Sequence, residues 1–357
     1  MKSILSITRE ELSGWLKGHG HPTYRCGQIR TWLFHGRATS FDEMTNLPKA
    51  LRQQLAEDFS IVSSNVVKHS TTTDGTEKLL LEFPDHGRIE CVLLRDGDRR
   101  SICISTQVGC AMGCVFCASG LDGVDRNLTA AEIMEQMLLL QRLLSKDERL
   151  SHIVVMGMGE PLANLDNLLP ALDWAASEEG LGIGARRITI STVGLPKAID
   201  RLVADNTRYN LAVSLHAPND ALRNQVVPVN KSIGIHDILA AADRYFDTSG
   251  RKLTFEYVLL ADLNDRPEHA KQLARLLGHR TVLLNVIPYN PVEGLPYETP
   301  SADAIRTFRE ILEQAGINVQ FRVRKGDQIN AACGQLRRSF APPVVELDTS
   351  PVGQAPA

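Results

Sequence analysis

The chain has 357 residues, 39 Lys and Arg against 42 Asp and Glu for a net charge of −3, and 43% hydrophobic and 23% charged residues. That is the profile of an ordinary soluble globular protein, and it excludes a disordered, collagenous or coiled-coil chain. The longest apolar stretches, such as Met137–Leu140, fall far short of the roughly 18 residues a membrane span needs, so no membrane partner is expected.

The N-terminus (Met1-Lys2-Ser3-Ile4-Leu5, then Arg9-Glu10-Glu11) has no apolar secretion segment, so a cytoplasmic, reducing setting is expected and the cysteines read as chemistry rather than as staples. Residues 1–60 read as a small helical domain, with helices over Glu10–Lys17, Gly27–Phe34 and Pro48–Phe59, where Leu51 and Leu55 recur at helical spacing. A β-rich linker, 61–95, follows, with strands over Lys78–Phe83 and Arg88–Leu94 and turns at Gly75 and Asp85–Gly87. From 96 to 335, strands over Ser101–Thr106, His152–Met156, Arg187–Ser191, Asn210–Leu215, Leu253–Leu259, Val282–Ile287 and Val319–Val323 alternate with helices. These helices include Thr129–Leu144, Ile235–Phe246, Glu268–Leu277 and Ala302–Ala315. The rhythm predicts an α/β fold, a full or partial (βα) barrel whose chemistry sits at the C-terminal ends of its strands. The tail, 336–357, has four prolines after Ala341 and no periodicity, and is expected to be disordered.

Cys110, Cys114 and Cys117 form a C-x3-C-x2-C loop after a strand, with Gly109 and Gly113 beside it. Three close thiolates suit one soft metal centre. A structural zinc needs four protein ligands, and His86 and His152 are too distant in sequence to complete a local knuckle, yet zinc stays open as the minor reading. A [4Fe-4S] cluster on three cysteines leaves one iron free for the amino-acid part of S-adenosylmethionine (SAM). Gly157-Met158-Gly159-Glu160 at the next strand end agrees with this: glycines let backbone approach a cofactor and Glu160 offers a carboxylate to an ammonium. Ser191, Ser214, His216 and Asn290 at later strand ends are candidates for ribose and carboxylate contacts, each equally readable as a strand-end cap.

With these residues in place, the sequence resembles the RlmN/Cfr family of radical SAM RNA methyltransferases over nearly its whole length. The resemblance lies in Tyr24-Arg25-Cys26-Gly27-Gln28 with Leu47-Pro48, Cys103 through Cys117, and Met156 through Leu162. It continues in Ser214-Leu215-His216-Ala217-Pro218, Asn264-Asp265 with Glu268-His269, Ile287-Pro288-Tyr289-Asn290-Pro291, and Ala331-Ala332-Cys333-Gly334-Gln335-Leu336. It implies a radical SAM partial barrel with an RNA-contacting N-terminal module, a [4Fe-4S] cluster on Cys110, Cys114 and Cys117, and two SAM per turnover. It places SAM on Gly159, Glu160, Ser191, Ser214, Leu215, His216 and Asn290. It further implies methylation of adenosine C2 in 23S rRNA and tRNA, with flavodoxin or ferredoxin as electron donor and a monomeric enzyme. C8 methylation, a radical SAM reaction on a non-RNA substrate and a non-catalytic zinc module are the alternatives.

The chemistry implied by the resemblance needs two further cysteines. Adenine C2 is an amidine carbon and not a nucleophile, so direct transfer of an electrophilic methyl should fail. One SAM methylates Cys333, a second yields the radical that activates the S-methyl group, and the base is then joined to Cys333. Release requires a proton acceptor, matched by Glu90, and a thiol that forms a transient disulfide with Cys333, matched by Cys103. Without the resemblance, Glu90 reads as the solvent face of a strand and Cys103 as a buried small hydrophobe; Cys26 and Cys91 match no catalytic position. The basic clusters Arg88, Arg95, Arg99, Arg100 and Arg322, Arg324, Lys325, Arg337, Arg338 flank Glu90 and Cys333, where phosphate contacts would be useful.

Overall fold

The computed structural model describes residues 1–322 and 329–337. Most of the expected tail lies outside them, as do Arg324, Lys325, Gln328 and Arg338. Strand β1 (Lys2–Ser3) opens an N-terminal module of helices α1 (Arg9–Gly18), α2 (Arg25–Phe34) and α3 (Lys49–Asp58), closed by β2 (Phe59–Ser60), which pairs with β1 in parallel. Thr8 starts α1 with a capping box to Glu11, satisfying two otherwise orphaned N–H groups, while Leu12 and Leu16 supply its buried stripe. Leu16, Ile29, Leu51 and Leu55 are fully buried in the module's own core, which also takes in Ala131 and Leu138 from the barrel.

Strands β3 (Asn65–Thr71), β4 (Glu77–Glu82), β5 (Arg88–Asp96) and β6 (Arg99–Cys103) form an antiparallel meander. A hairpin of β7 (Gln107–Gly109) and β8 (Val124–Asn127) encloses the cysteine loop, and α4 (Ala130–Arg142) follows behind a Thr129–Glu132 capping box. The chain then alternates through β9 (His152–Val155), α5 (Leu165–Ala176), β10 (Ile188–Thr192), α6 (Pro196–Ala204), β11 (Asn210–Ser214), α7 (Asp220–Val226) and α8 (Ile235–Ser249). It finishes with β12 (Leu253–Leu259), α9 (Pro267–Leu277), β13 (Leu283–Pro288), α10 (Ala302–Gln314) and β14 (Val319–Phe321). Ten strands make one sheet in the order β14-β13-β12-β11-β10-β9-β6-β5-β4-β3, parallel from β6 to β14. All seven residues of β12 are buried, as expected of a parallel strand covered on both faces.

The alternation expected from residue 96 onward is therefore present, and the sheet is continuous across residues 95–96, because β5 and β6 are neighbours. The strand expected over Ser101–Thr106 ends at Cys103; the next stretch leaves the sheet for β7. Register matters for the chemistry: Lys78, Val92, Cys103 and Val154 lie opposite one another across four strands. Glu90 is two residues from Val92 on β5, so Lys78, Glu90 and Cys103 occupy one face.

Candidate active site

Left-handed glycines shape the cysteine loop: Gly109 has φ 82° and Gly113 φ 64°. Backbone bonds fix it from three directions, with Cys110 N–H donating to Gly123 O (2.8 Å), Val115 N–H to Val226 O (3.2 Å) and Ala118 N–H to Gly334 O (2.8 Å). The three thiols line one cavity together with Gly159, Glu160, Ser191, Ser214, His216, Asn290 and Cys333. Burial raises all three thiols, Cys110 to about 11, so a bound cation is needed to hold them as thiolates. Among the described residues no three His, Cys, Asp or Glu side chains close on a single metal ion. Thiols spread around a common cavity fit a polynuclear cluster that gives each its own iron, and do not form the four-ligand zinc site. A larger cavity of about 390 Å³ lies between the N-terminal module and α4–α5, but it is mainly apolar and carries none of this chemistry.

The rest of the cavity fits an organic ligand at Asn290, beside a tightly packed wall. Gly159 has φ 103°, and a Cβ there would stand 2.7 Å from the Gln107 side chain, so only glycine lets this wall pack so closely on β7. Asn290 is buried and donates to Cys333 O (3.2 Å), yet its Oδ1 has no partner among the described residues: an acceptor aimed at a ligand donor. His216, at φ 59°, accepts a hydrogen bond from Val258 N–H on Nδ1 (3.0 Å), which puts the proton on Nε2. Burial, helped by Arg223, lowers its pKa to about 3, so it is neutral at physiological pH.

Two SAM-site expectations take a different form in the structure. Glu160 is already engaged: its oxygens accept Leu162 N–H (3.0 Å) and Val193 N–H (2.9 Å), tying two strand ends together and leaving each oxygen a further lone pair for an ammonium, and burial raises its pKa. Leu215 is buried in the core and does not line the cavity. Its carbonyl accepts from Arg223, a guanidinium with no exposed surface that also donates to Val193 O, Ser214 O (2.9 Å) and Asn230 Oδ1 (2.6 Å). Arg223 thus gathers the ends of β10 and β11; sequence reading missed it because its partners come from four separate positions.

Glu90 and Cys103 lie on the sheet beside the cavity. Glu90 is only 4% exposed, the reverse of the solvent-facing position that its alternation suggested, because β5 is covered on both faces. Desolvation raises its carboxyl; Lys78 Nζ at 2.7 Å, the Arg337 N–H at 3.0 Å and Lys68 oppose that rise. Cys333 lies near enough to Cys103 to disfavour the Cys103 thiolate, but burial is the larger cause that pushes Cys103 to about 12; burial likewise pushes Cys333 to about 11. The Cys333 residue nonetheless keeps exposed surface, and it lines the cavity. Glu256, buried on β12 and accepting from Asn285 Nδ2 (2.9 Å), adds to the rise at Cys333.

Of the first basic cluster, Arg88 pairs with Glu82, Arg95 with Glu77 and Arg100 with Glu148. Arg99 and Arg322 are near enough to repel one another, with Asp96 opposing this at Arg99 and Arg322 also favouring ionised Glu256; among the described residues neither has a carboxylate within ion-pair distance.

Residues 2–61 match the ribosomal RNA large subunit methyltransferase N-terminal domain, and residues 104–276 match the radical SAM superfamily. A partial barrel with three thiols at the cavity formed by its strand ends, matched to that superfamily, defines a radical SAM enzyme that uses a [4Fe-4S] cluster and SAM. The probable dual-specificity RNA methyltransferase RlmN of Rhodopirellula baltica is 66% identical, over 94% of this chain and 91% of its own. That of Enterococcus faecalis is 44% identical, over 94% and 96%. The crystal structure of a radical SAM methyltransferase from Sphaerobacter thermophilus matches with TM-score 0.90 at 43% identity, over 94% of this chain and 99% of the other. The chain belongs to the RlmN family of dual-specificity RNA methyltransferases.

Proposed function

We propose that this enzyme methylates C2 of adenosine in 23S rRNA and in tRNA, acting as a cytoplasmic monomer supplied with electrons by a flavodoxin or ferredoxin. Cys333 carries the methyl group, Glu90 accepts the ring proton and Cys103 resolves the adduct. Gly159, Glu160, Ser191, Ser214, His216 and Asn290 hold SAM, Leu215 acts only through its backbone, and Cys110, Cys114 and Cys117 hold the cluster. Residues 1–60 contact RNA, 61–95 bring the proton acceptor, and 96–335 form the catalytic core. One observation carries this reading: Cys333 lines the same cavity as the three cluster cysteines, while its segment is hydrogen-bonded to the buried carboxylate of Glu90.

When bound, the cluster and SAM supply the methyl group, the electron and the hydrogen-abstracting radical that the protein's side chains cannot. The chain's own residues do the rest. A thiol raised to about 11 is mostly protonated at neutral pH, so Cys333 must lose a proton before it attacks the methyl. Once the base is bonded to Cys333 through one carbon, Glu90 takes the C2 proton, a task favoured by its raised pKa. Cys103 attacks the Cys333 sulfur as its thiolate; the carbon–sulfur bond breaks, its electrons pass to the former methylene carbon, which takes up a proton to complete the methyl group, and a disulfide remains.

The test is mass spectrometry of digested ribosomal and transfer RNA after anaerobic incubation with SAM and reductant, comparing wild type with Cys333→Ala. 2-Methyladenosine from wild type only is expected. 8-Methyladenosine would reassign the target atom, and its absence together with that of 2-methyladenosine from iron-replete enzyme would remove RNA as the substrate.

A further inference from the structure

Lys78 has no part in the steps above, yet it is a buried lysine, 10% exposed at its side chain, in a strand that continues through three buried leucines. Its ammonium makes two contacts: the Glu90 carboxylate at 2.7 Å and the backbone carbonyl of Asn330 at 3.0 Å. Glu90 in turn accepts the Arg337 N–H at 3.0 Å. Asn330 lies three residues before Cys333 and Arg337 four after it, so one buried ion pair grips both ends of the segment that bears the reactive sulfur. Between those grips the segment is held to the other side of the cavity, by Asn290 on Cys333 O, Ala118 on Gly334 O and Ser119 on Leu336 O.

We propose that Lys78 is a positioning residue that, through its ion pair with Glu90, clamps the Cys333 segment in the docked position and releases it when Glu90 becomes protonated. The inference rests on the reading of Glu90 as proton acceptor and Cys333 as carbon carrier. A carboxylate is a far stronger acceptor than the neutral acid, for an ammonium and for a backbone N–H alike. While Glu90 is ionised both grips hold. When it takes the C2 proton, its charge is neutralised, the Lys78 contact loses its ionic part and the Arg337 N–H faces a weaker acceptor. The segment loosens at the step after which Cys333 must turn from the base toward Cys103. No group is consumed: the proton moves from carbon to carboxyl and leaves when the clamp re-forms. Among the described residues the charged groups that bear on Glu90 are Lys78 on β4 and Lys68 on β3, and Glu90 in turn raises the thiol of Cys91 beside it on β5.

The test uses the cluster-loaded full chain as wild type, Lys78→Met, Lys78→Arg and Glu90→Gln. Amide hydrogen exchange over 329–337 is expected to rise about tenfold in Lys78→Met, the scale of a lost charge-assisted hydrogen bond, and to return toward wild type in Lys78→Arg. The acid limb of the pH profile for adduct resolution is expected to move to higher pH in Lys78→Met, since the cation favouring ionised Glu90 is gone, and to be restored by Lys78→Arg. Unchanged exchange and an unchanged limb in Lys78→Met overturn the clamp. If Glu90→Gln resolves the adduct at the wild-type rate, the proton-acceptor reading fails instead, and the exchange data still decide whether Lys78 holds the segment.

Discussion

Glu135 on α4 has no exposed surface, and its two oxygens hold a short turn that joins the N-terminal module to the sheet. Oε2 accepts both N–H and Oγ–H of Ser63, at 2.8 Å each, and Oε1 accepts N–H (2.7 Å) and Oγ–H of Ser64. Removing the carboxylate leaves the buried Ser64 N–H and the part-buried Ser63 N–H without their acceptor, at about 1–3 kcal/mol each, whereas the serine hydroxyls can rotate to other partners. Glu135→Ala should therefore cost about 3–5 kcal/mol, reduced from the sum of the bonds because the buried charge is also removed. Glu135→Gln keeps the shape and one accepting oxygen but turns an NH2 toward two donors, for about 2–3 kcal/mol, and Ser63→Ala, losing only a hydroxyl, about 1 kcal/mol. Urea unfolding of the full chain, followed at Trp15 and Trp32 in the module and Trp174 in the barrel, measures the series. Changes below about 0.5 kcal/mol in both Glu135 variants, the range of an ordinary surface substitution, would refute the assignment of this carboxylate as the turn's anchor.

Two further predictions follow from the site. Gly159→Ala forces a Cβ to within 2.7 Å of Gln107 at a φ of 103°, which displaces the cavity wall, so calorimetric titration of cluster-loaded enzyme with SAM should show binding lost or weakened more than tenfold; wild-type affinity would mean that the packing of Gly159 on Gln107 does not set the ligand site. Arg99→Gln with Arg322→Gln removes two cations that lack a carboxylate partner among the described residues, so RNA affinity should fall and its salt slope shrink by about 1 per lost phosphate contact; filter binding across a salt series showing an unchanged slope would place the RNA backbone elsewhere.

What could be read from the sequence was what local spacing encodes. The C-x3-C-x2-C loop and the glycines around Glu160 are short-range patterns, and the buried parallel strands Asn210–Ser214 and Leu253–Leu259 are near-continuous apolar runs. Strand β3 escaped notice because its residues are nearly all exposed and lack alternation, and α5 because Pro170 interrupts an otherwise helical pattern. The alternation around Glu90 pointed outward although the strand is buried on both sides, since a polar residue paired across the sheet looks the same in sequence as one paired with water. Lys78 and Arg223 were not legible at all: their partners, Asn330 for one and the carbonyls of Val193, Ser214 and Leu215 for the other, come together only through folding.

The ten-stranded sheet is open, with β14 and β3 at opposite edges, so its hydrogen-bonding pattern does not close a wall around the cavity. The segment around Cys333 spans from Lys78 and Glu90 to Asn290 and the cysteine loop, and Cys333 and Gly334 line the cavity. The nucleophile is thus built into the door rather than into the room. Any displacement large enough to carry that sulfur to a new partner also changes what the interior is exposed to, so the schedule of bond making and the schedule of solvent entry are one and the same.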